Sequence, residues 1–139
     1  MRTAALALGA LLLTACDTFA EPEGVVRLGD ISLDRELPAL EANVREDRIE
    51  LAITTSGNAG CTSHHDDVVH VDRVAHRISV RPYDFHAYGV CLDVIEAIAH
   101  DVSVGPLPPG LWLVRVIGAN GWRSRDELVV EAEVSIPGD

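Results

Sequence analysis

Apolar and polar residues alternate with a period of two in several parts of the chain. Ile49, Leu51 and Ile53 are separated by charged or small residues. Near the other end, five apolar residues share one parity: Leu128, Val130, Ala132, Val134 and Ile136. Such alternation directs one face of a strand toward a core and the other toward water. Both segments are therefore predicted to be strands with one buried face.

A shorter alternating stretch predicts a hairpin. Val69 and Val71 precede a polar turn, and Ile78 and Val80 follow it. Two short runs of β-branched residues joined by a turn are typical of antiparallel pairing. We expect Ile78 and Val80 to point into the core.

The remaining segments predict two more strands and few helices. Strands are expected at 101–104 and 111–117, on either side of the turn 106–110, whose prolines and glycine disfavour helix. Helical candidates are confined to 33–45 and 92–100, and neither has clear capping residues.

Short strands separated by frequent turns predict an all-β protein, an antiparallel sandwich of about seven strands. The segment 107–116 (LPPGLWLVRV) resembles a turn and strand found in immunoglobulin-like domains of bacterial surface lipoproteins. With Cys61 and Cys91, the resemblance extends over about 48–136. It implies an immunoglobulin-like domain over 25–139, in which Trp112 replaces the usual tyrosine.

The amino terminus predicts export and anchoring. Residues 4–13 form an apolar run that is too short to span a bilayer, which takes about 20 helical residues. The sequence Leu13-Thr14-Ala15-Cys16 that follows resembles a lipoprotein lipobox. This resemblance implies a cleaved signal peptide at 1–15, acyl chains on Cys16 and a tether at 16–24. The protein would then be a lipoprotein of the bacterial cell envelope, facing the periplasm or the exterior, with the membrane as its partner through Cys16.

Charge restricts the partners of the domain. The chain has 22 acidic residues against 11 basic ones, a formal net charge of −11. Nucleic acid and anionic lipid head groups are therefore expected to be poor partners for the folded surface.

Cys61 and Cys91 are the cysteines that remain after the predicted cleavage. An even pair in an oxidising compartment favours a disulfide. A disulfide would remove Cys61 from the candidate nucleophiles and thiolate ligands.

The stretch 61–70 (CTSHHDDVVH) contains the candidate metal ligands. His64, His65 and His70 offer imidazole nitrogens, which suit zinc or copper, and Asp66 and Asp67 are candidates to complete a site. Convergence of these side chains would require the loop to curl back. The alternative is a solvated acidic loop without a ligand, and no other cofactor is predicted.

A catalytic site is not predicted. Ser63, His64 and Asp66 are the residue types of a catalytic triad, but they are near neighbours, whereas triads assemble from separate chain segments. We therefore expect a protein that is not an enzyme.

The hypothesis from sequence is a lipid-anchored, non-enzymatic module that binds a protein or another envelope component through its sandwich loops. One alternative is a metal-binding lipoprotein that uses the histidine-rich loop. A further alternative is an inhibitor of an extracytoplasmic protease. Among the aromatic residues, Tyr83 and Phe85 are expected to be buried, and Trp122 is the candidate for the surface.

Overall fold

The computed structural model describes residues 21–32 and 37–139, and these form ten strands and no helix. The strands are β1 (Gly24–Leu28), β2 (Leu40–Arg45), β3 (Arg48–Asn58), β4 (Thr62–His64), β5 (Val68–Asp72), β6 (Arg77–Arg81), β7 (Tyr83–Ala87), β8 (Ile95–Val104), β9 (Gly110–Ala119) and β10 (Glu127–Ile136). The predicted signal peptide 1–15 and the predicted lipidation residue Cys16 lie outside the described residues. The all-β prediction is confirmed.

The strands form three sheets. One has four strands in the order β10-β9-β6-β5, and the other two have three strands each, in the orders β2-β3-β8 and β1-β7-β4. Neighbouring strands are antiparallel except for β6 and β9, which are parallel.

The hydrophobic core lies between the four-stranded sheet and the β2-β3-β8 sheet. Ile49, Leu51 and Ile53 of β3 are almost completely buried, and they share one cluster with Val114 and Val116 of β9. Each such side chain contributes about 1.5–3 kcal/mol when it leaves water. The period-two prediction for β3 is confirmed.

The predicted hairpin is also confirmed. β5 pairs with β6, with Val71 opposite Ile78 and Val69 opposite Val80. Ile78 and Val80 are completely buried, whereas Val69 stays partly exposed on the outer part of the sheet.

The helical candidates are wrong wherever the structure describes them. Residues 40–45 belong to β2, and residues 95–100 belong to β8, whose ten residues pair with β3 along their full length. His100 occupies an inward position of β8. A polar residue there interrupts the apolar alternation, so the sequence pattern predicts only residues 101–104 of this strand.

The strand number exceeds the predicted seven because β1, β4 and β7 form a small additional sheet. β1 begins at Gly24, where the predicted tether ends. In β7, the fully buried position belongs to Asp84. This polar residue breaks the apolar alternation of β7, as His100 does in β8.

The predicted disulfide is confirmed. Cys61 and Cys91 are bonded, with their Cα atoms 5.6 Å apart. The bond joins the turn between β3 and β4 to the loop between β7 and β8. It therefore links the beginning of the short strand β4 to a second part of the chain.

Trp112 closes the turn before β9. Its ring is completely buried, and its indole nitrogen donates a hydrogen bond of 3.1 Å to the carbonyl oxygen of Pro108. The indole N–H thus ties the side chain back to the backbone of the preceding turn. His76 stacks on the ring, with 4.6 Å between the ring centroids.

Candidate metal centre

His100 is a polar residue in the interior of the sandwich. Its side chain has no exposed surface, and it lies opposite Ile53 in the pairing of β8 with β3. Both ring nitrogens have polar partners. Nδ1 lies 2.7 Å from Oδ1 of Asp67, and Nε2 lies 3.0 Å from both Oδ1 of Asp84 and Oγ1 of Thr55.

A second histidine extends this group toward the surface. Nε2 of His64 lies 3.3 Å from Oδ2 of Asp67, and the rings of His64 and His100 meet edge to face, with centroids 4.6 Å apart. We refer to His64, Asp67, Asp84 and His100 as the histidine–aspartate cluster. Its members come from β4, β7, β8 and the short connection between β4 and β5.

Strand register explains how distant residues meet. His64 lies directly opposite Asp84 in the antiparallel pairing of β4 with β7, so both side chains project from the same face of that sheet. The amide of His65 donates to the carbonyl oxygen of Tyr83, which continues the pairing by one residue. Asp67 follows in the connection to β5, and its carboxylate contacts Nδ1 of His100.

The cluster favours a positive charge on His100. Burial by itself lowers the pKa of this imidazole, but the hydrogen bonds and negative charges of Asp84 and Asp67 outweigh burial and raise the pKa above its usual value. A neutral imidazole has only one N–H to donate, whereas two carboxylates face this ring. The protonated ring has one N–H for each of them.

The same atoms have the arrangement of a cation site. His64, Asp67 and His100 each offer one ligand atom, and these atoms lie within 4.8 Å of one another. The side chain of His64 is 48% exposed and that of Asp67 is 9% exposed. The group is therefore closed toward the core and open to solvent on the side of His64.

Only part of the predicted ligand set lies in this group. His64 belongs to it, and so does Asp67, which the sequence suggested as a completing ligand. His65 and His70 are exposed, and neither is within the cluster. Asp66 is exposed as well, and Cys61 is held in the disulfide.

Sequence analysis missed His100, Asp84 and Thr55. Each is a polar residue at an inward strand position. Thr55 continues the buried face of β3 after Ile53, and His100 belongs to the same face of β8 as Ile98 and Val104. A polar residue in register with buried apolar residues is the signal that would have identified them.

Among the residues that the structure places, no helix is long and apolar enough to cross a membrane. Comparisons of the chain with protein-family models, with curated proteins and with solved structures give no significant match.

Proposed function

We propose that this protein is a lipid-anchored, non-enzymatic module of the bacterial cell envelope that binds zinc or copper. The ligands are His64, Asp67 and His100, and the scaffold is an immunoglobulin-like sandwich. The observation that carries the proposal is the convergence of these three ligand atoms. One of them belongs to His100, a buried histidine whose other ring nitrogen contacts a carboxylate.

Asp84 supports the proposal because it orients His100. Histidines that bind metals usually donate their second ring N–H to a carboxylate, which fixes the ring and increases its basicity. Here Asp84 occupies that second position at 3.0 Å from Nε2, so Nδ1 is the nitrogen that faces Asp67 and His64. The imidazole is thus held with one nitrogen toward the proposed ion.

The distances also suit a small cation. Two ligands bound to zinc at about 2.1 Å with a tetrahedral angle lie roughly 3.4 Å apart. The separation between His64 Nε2 and Asp67 Oδ2 is already 3.3 Å, and that between His100 Nδ1 and Asp67 Oδ1 is 2.7 Å. An ion would replace the proton between His100 and Asp67 and would require those two atoms to move apart by less than 1 Å. Three protein ligands leave a fourth position for water.

Calorimetric titration of the purified, EDTA-treated protein with zinc and with copper tests this function. We expect binding of one ion per chain and a loss of affinity in His64→Ala and Asp67→Asn. Removing a direct ligand should weaken binding at least as much as the 10–100-fold that is typical of losing an outer hydrogen-bond partner. His64 is half-exposed, so its replacement leaves the core intact.

The matched control is the double variant His65→Ala, His70→Ala. It removes the two other histidines of the same stretch, which lie outside the cluster, and it should bind metal as the unmodified protein does. Metal binding that survives His64→Ala but is lost in the control would contradict the proposed ligand set. No binding of either ion would contradict the function.

The immunoglobulin-like assignment is supported by the two facing sheets, the disulfide and the buried Trp112 with its bond to the backbone. An experimental structure would test this assignment further. Its strand order, including the parallel pairing of β6 with β9, can be compared with the strand order of immunoglobulin-like domains.

A second candidate function is the binding of a protein partner, and it rests on the loop between β7 and β8. Large apolar side chains are exposed at alternate positions of this loop and at the first residue of β8: Tyr88, Val90, Leu92, Val94 and Ile95. Apolar side chains concentrated on one surface of a monomer are typical of interaction sites. The disulfide at Cys91 holds the loop against β4 and limits the entropy lost on binding.

Site-specific photocrosslinking in intact cells tests this candidate. A crosslinker at Leu92 should give a discrete adduct that disappears when Val90 is changed to Asp. Val74 provides the control, because it is also exposed but lies in the turn between β5 and β6. Identical adducts from both positions, or no adduct at Leu92, would argue against a partner at this loop.

A further inference from the structure

A second cleft lies on another part of the molecule. It has a volume of about 410 Å³ and lies between β1 and the loop that joins β9 to β10. Arg27 comes from β1, His86 from β7, and Trp122, Arg123 and Arg125 from the loop. We refer to it as the arginine cleft. Its volume is in the range of small-molecule sites.

The charge of this cleft is opposite to that of the protein. Three of the 11 basic residues line it, although the chain carries 22 acidic residues. Arg81 and Arg115 form ion pairs with Glu127 and Glu131 elsewhere on the surface. Within the described part of the chain, none of the three cleft arginines has an acidic partner within 4.0 Å.

Asp30 is the acidic residue among those that line the cleft, and its carboxylate is engaged in local hydrogen bonds. Oδ1 accepts from the amide and hydroxyl groups of Ser32 and from the amide of Gly121, and Oδ2 accepts from the hydroxyl group of Ser56. These bonds fix the base of the loop. They leave the arginines as the charged groups that are available to a ligand.

His86 adds a neutral donor. Burial, followed by the charge of Arg27, lowers the pKa of this histidine despite the opposing effect of Asp84. Thr62 Oγ1 accepts from the amide of Asn58 and lies 3.2 Å from His86 Nδ1, so Nδ1 already has a polar partner in the protein. A neutral ring that accepts at Nδ1 carries its proton on Nε2.

The loop holds its aromatic and cationic side chains in a fixed arrangement. The guanidinium carbon of Arg123 lies 4.1 Å from the ring centre of Trp122, a cation–π contact. Arg123 has a φ of 64°, which is uncommon for a residue other than glycine and is often found at functional sites. Hydrogen bonds from Asn120 to Asp126 and from Ser124 to Gly121 maintain this conformation.

We propose that the arginine cleft binds an organic phosphate monoester. Guanidinium groups pair with phosphate through two parallel hydrogen bonds, and a phosphate offers three acceptor oxygens to the arginines and His86. The organic part of the ligand lies against the exposed ring of Trp122. This site is separate from the metal centre in its residues and in its ligand.

Titration of the purified protein with inorganic phosphate and with phenyl phosphate at low ionic strength tests the proposal. The affinity is measured by calorimetry, and the location by NMR shifts of the Trp122 indole and the Gly121 amide. We expect phenyl phosphate to bind about 10-fold more tightly than inorganic phosphate, because its ring stacks on Trp122. Trp122→Leu should abolish this difference while inorganic phosphate still binds.

The double variant Arg27→Gln, Arg123→Gln should weaken both ligands by about 10-fold or more, since it removes two charge-assisted contacts. The matched control is Arg73→Gln, Arg77→Gln, which removes the same charge from the region of the β5–β6 turn and should bind normally. Vesicles of phosphatidic acid, compared with phosphatidylcholine, show whether the same site also takes a phosphate on a lipid. Equal affinity in both double variants, or no binding of either soluble phosphate, would overturn the proposal.

Discussion

Two aspartates face the His100 ring inside the sandwich and raise the pKa of its imidazole, which favours the charged form. An uncompensated buried charge is expensive, and removing one partner of a buried ion pair typically costs about 3–5 kcal/mol. At a pH equal to the usual pKa of histidine, Asp67 and Asp84 favour the charged form of His100. The same arrangement makes the folded protein sensitive to protons and, on our proposal, to metal ions that compete with them.

The first prediction concerns pH. The folded-state pKa of His100 is raised above its unfolded value, so the folded protein binds the proton more tightly than the unfolded chain does. The stability that this proton provides is fully present below about pH 6.5 and is lost as the pH rises through the folded-state pKa. NMR titration of the His100 ring in EDTA should give a pKa above 6.5, and urea unfolding should show stability that declines over that window.

His86 contributes with the opposite sign, because its pKa is lowered. Its neutral folded form makes the protein less stable as the pH falls below about 6.5. The two effects therefore occupy different pH windows, and His86→Gln should remove the acid-side effect alone. A His100 ring that titrates below 6.5 would contradict the proposed charge state.

Residue types alone indicated some of the cluster and concealed the rest. The stretch around His64 and Asp67 was predicted as a candidate metal site because several possible ligands are close together in the sequence. His100 and Asp84 did not, since their proximity depends on strand register and they are more than ten residues from each other and from His64. Tertiary pairing, which a single sequence does not contain, brings them together.

At the level of the strands, alternation was informative where a strand faces an apolar core. β3 and β10 were predicted correctly for this reason. β7 was not predicted, and of β8 only residues 101–104 were, because inward positions of these strands hold Asp84 and His100 and break the apolar pattern. Asp84 and His100 thus belong to the candidate site and also break the apolar alternation by which their strands could have been predicted.

The disulfide provides the second prediction. It joins residues 30 positions apart, and closure of a loop of that length contributes about 3–4 kcal/mol in the chain-entropy model. The double variant Cys61→Ser, Cys91→Ser should lose that amount of unfolding free energy in urea. Zinc affinity should fall as well, because the bond holds the strand that ends at His64.

Reductant provides the control for this prediction. It should lower the stability of the unmodified protein to that of the double serine variant, and it should leave the variant unchanged. A serine variant within about 1 kcal/mol of the unmodified protein would show that the strand pairings hold this region without the bond.

On the scale of the whole molecule, the surface charge opposes the membrane attachment that we propose. A net charge of −11 repels the folded domain from anionic lipid head groups. On our proposal, acyl chains on Cys16 provide the membrane attachment that this charge opposes. The domain would then be held near the bilayer without lying on it.

The third prediction tests that attachment in a bacterial host that processes lipoproteins. The unmodified protein should fractionate with membranes, and mass spectrometry should find an acylated Cys16 as the first residue. Cys16→Ala should abolish the modification, whereas Thr14→Ala keeps a small residue at its position and should be processed normally. Unmodified Cys16 in membrane fractions would contradict the predicted anchor.

The most direct test of the proposed function is a crystal structure of the protein grown with zinc, with data collected on both sides of the zinc absorption edge. We predict one anomalous peak at about 2.0–2.2 Å from His64 Nε2, His100 Nδ1 and a carboxylate oxygen of Asp67, with Asp84 still bonded to Nε2 of His100. A peak at His65 or His70 instead, or no peak at the cluster, would contradict the assignment of a metal centre.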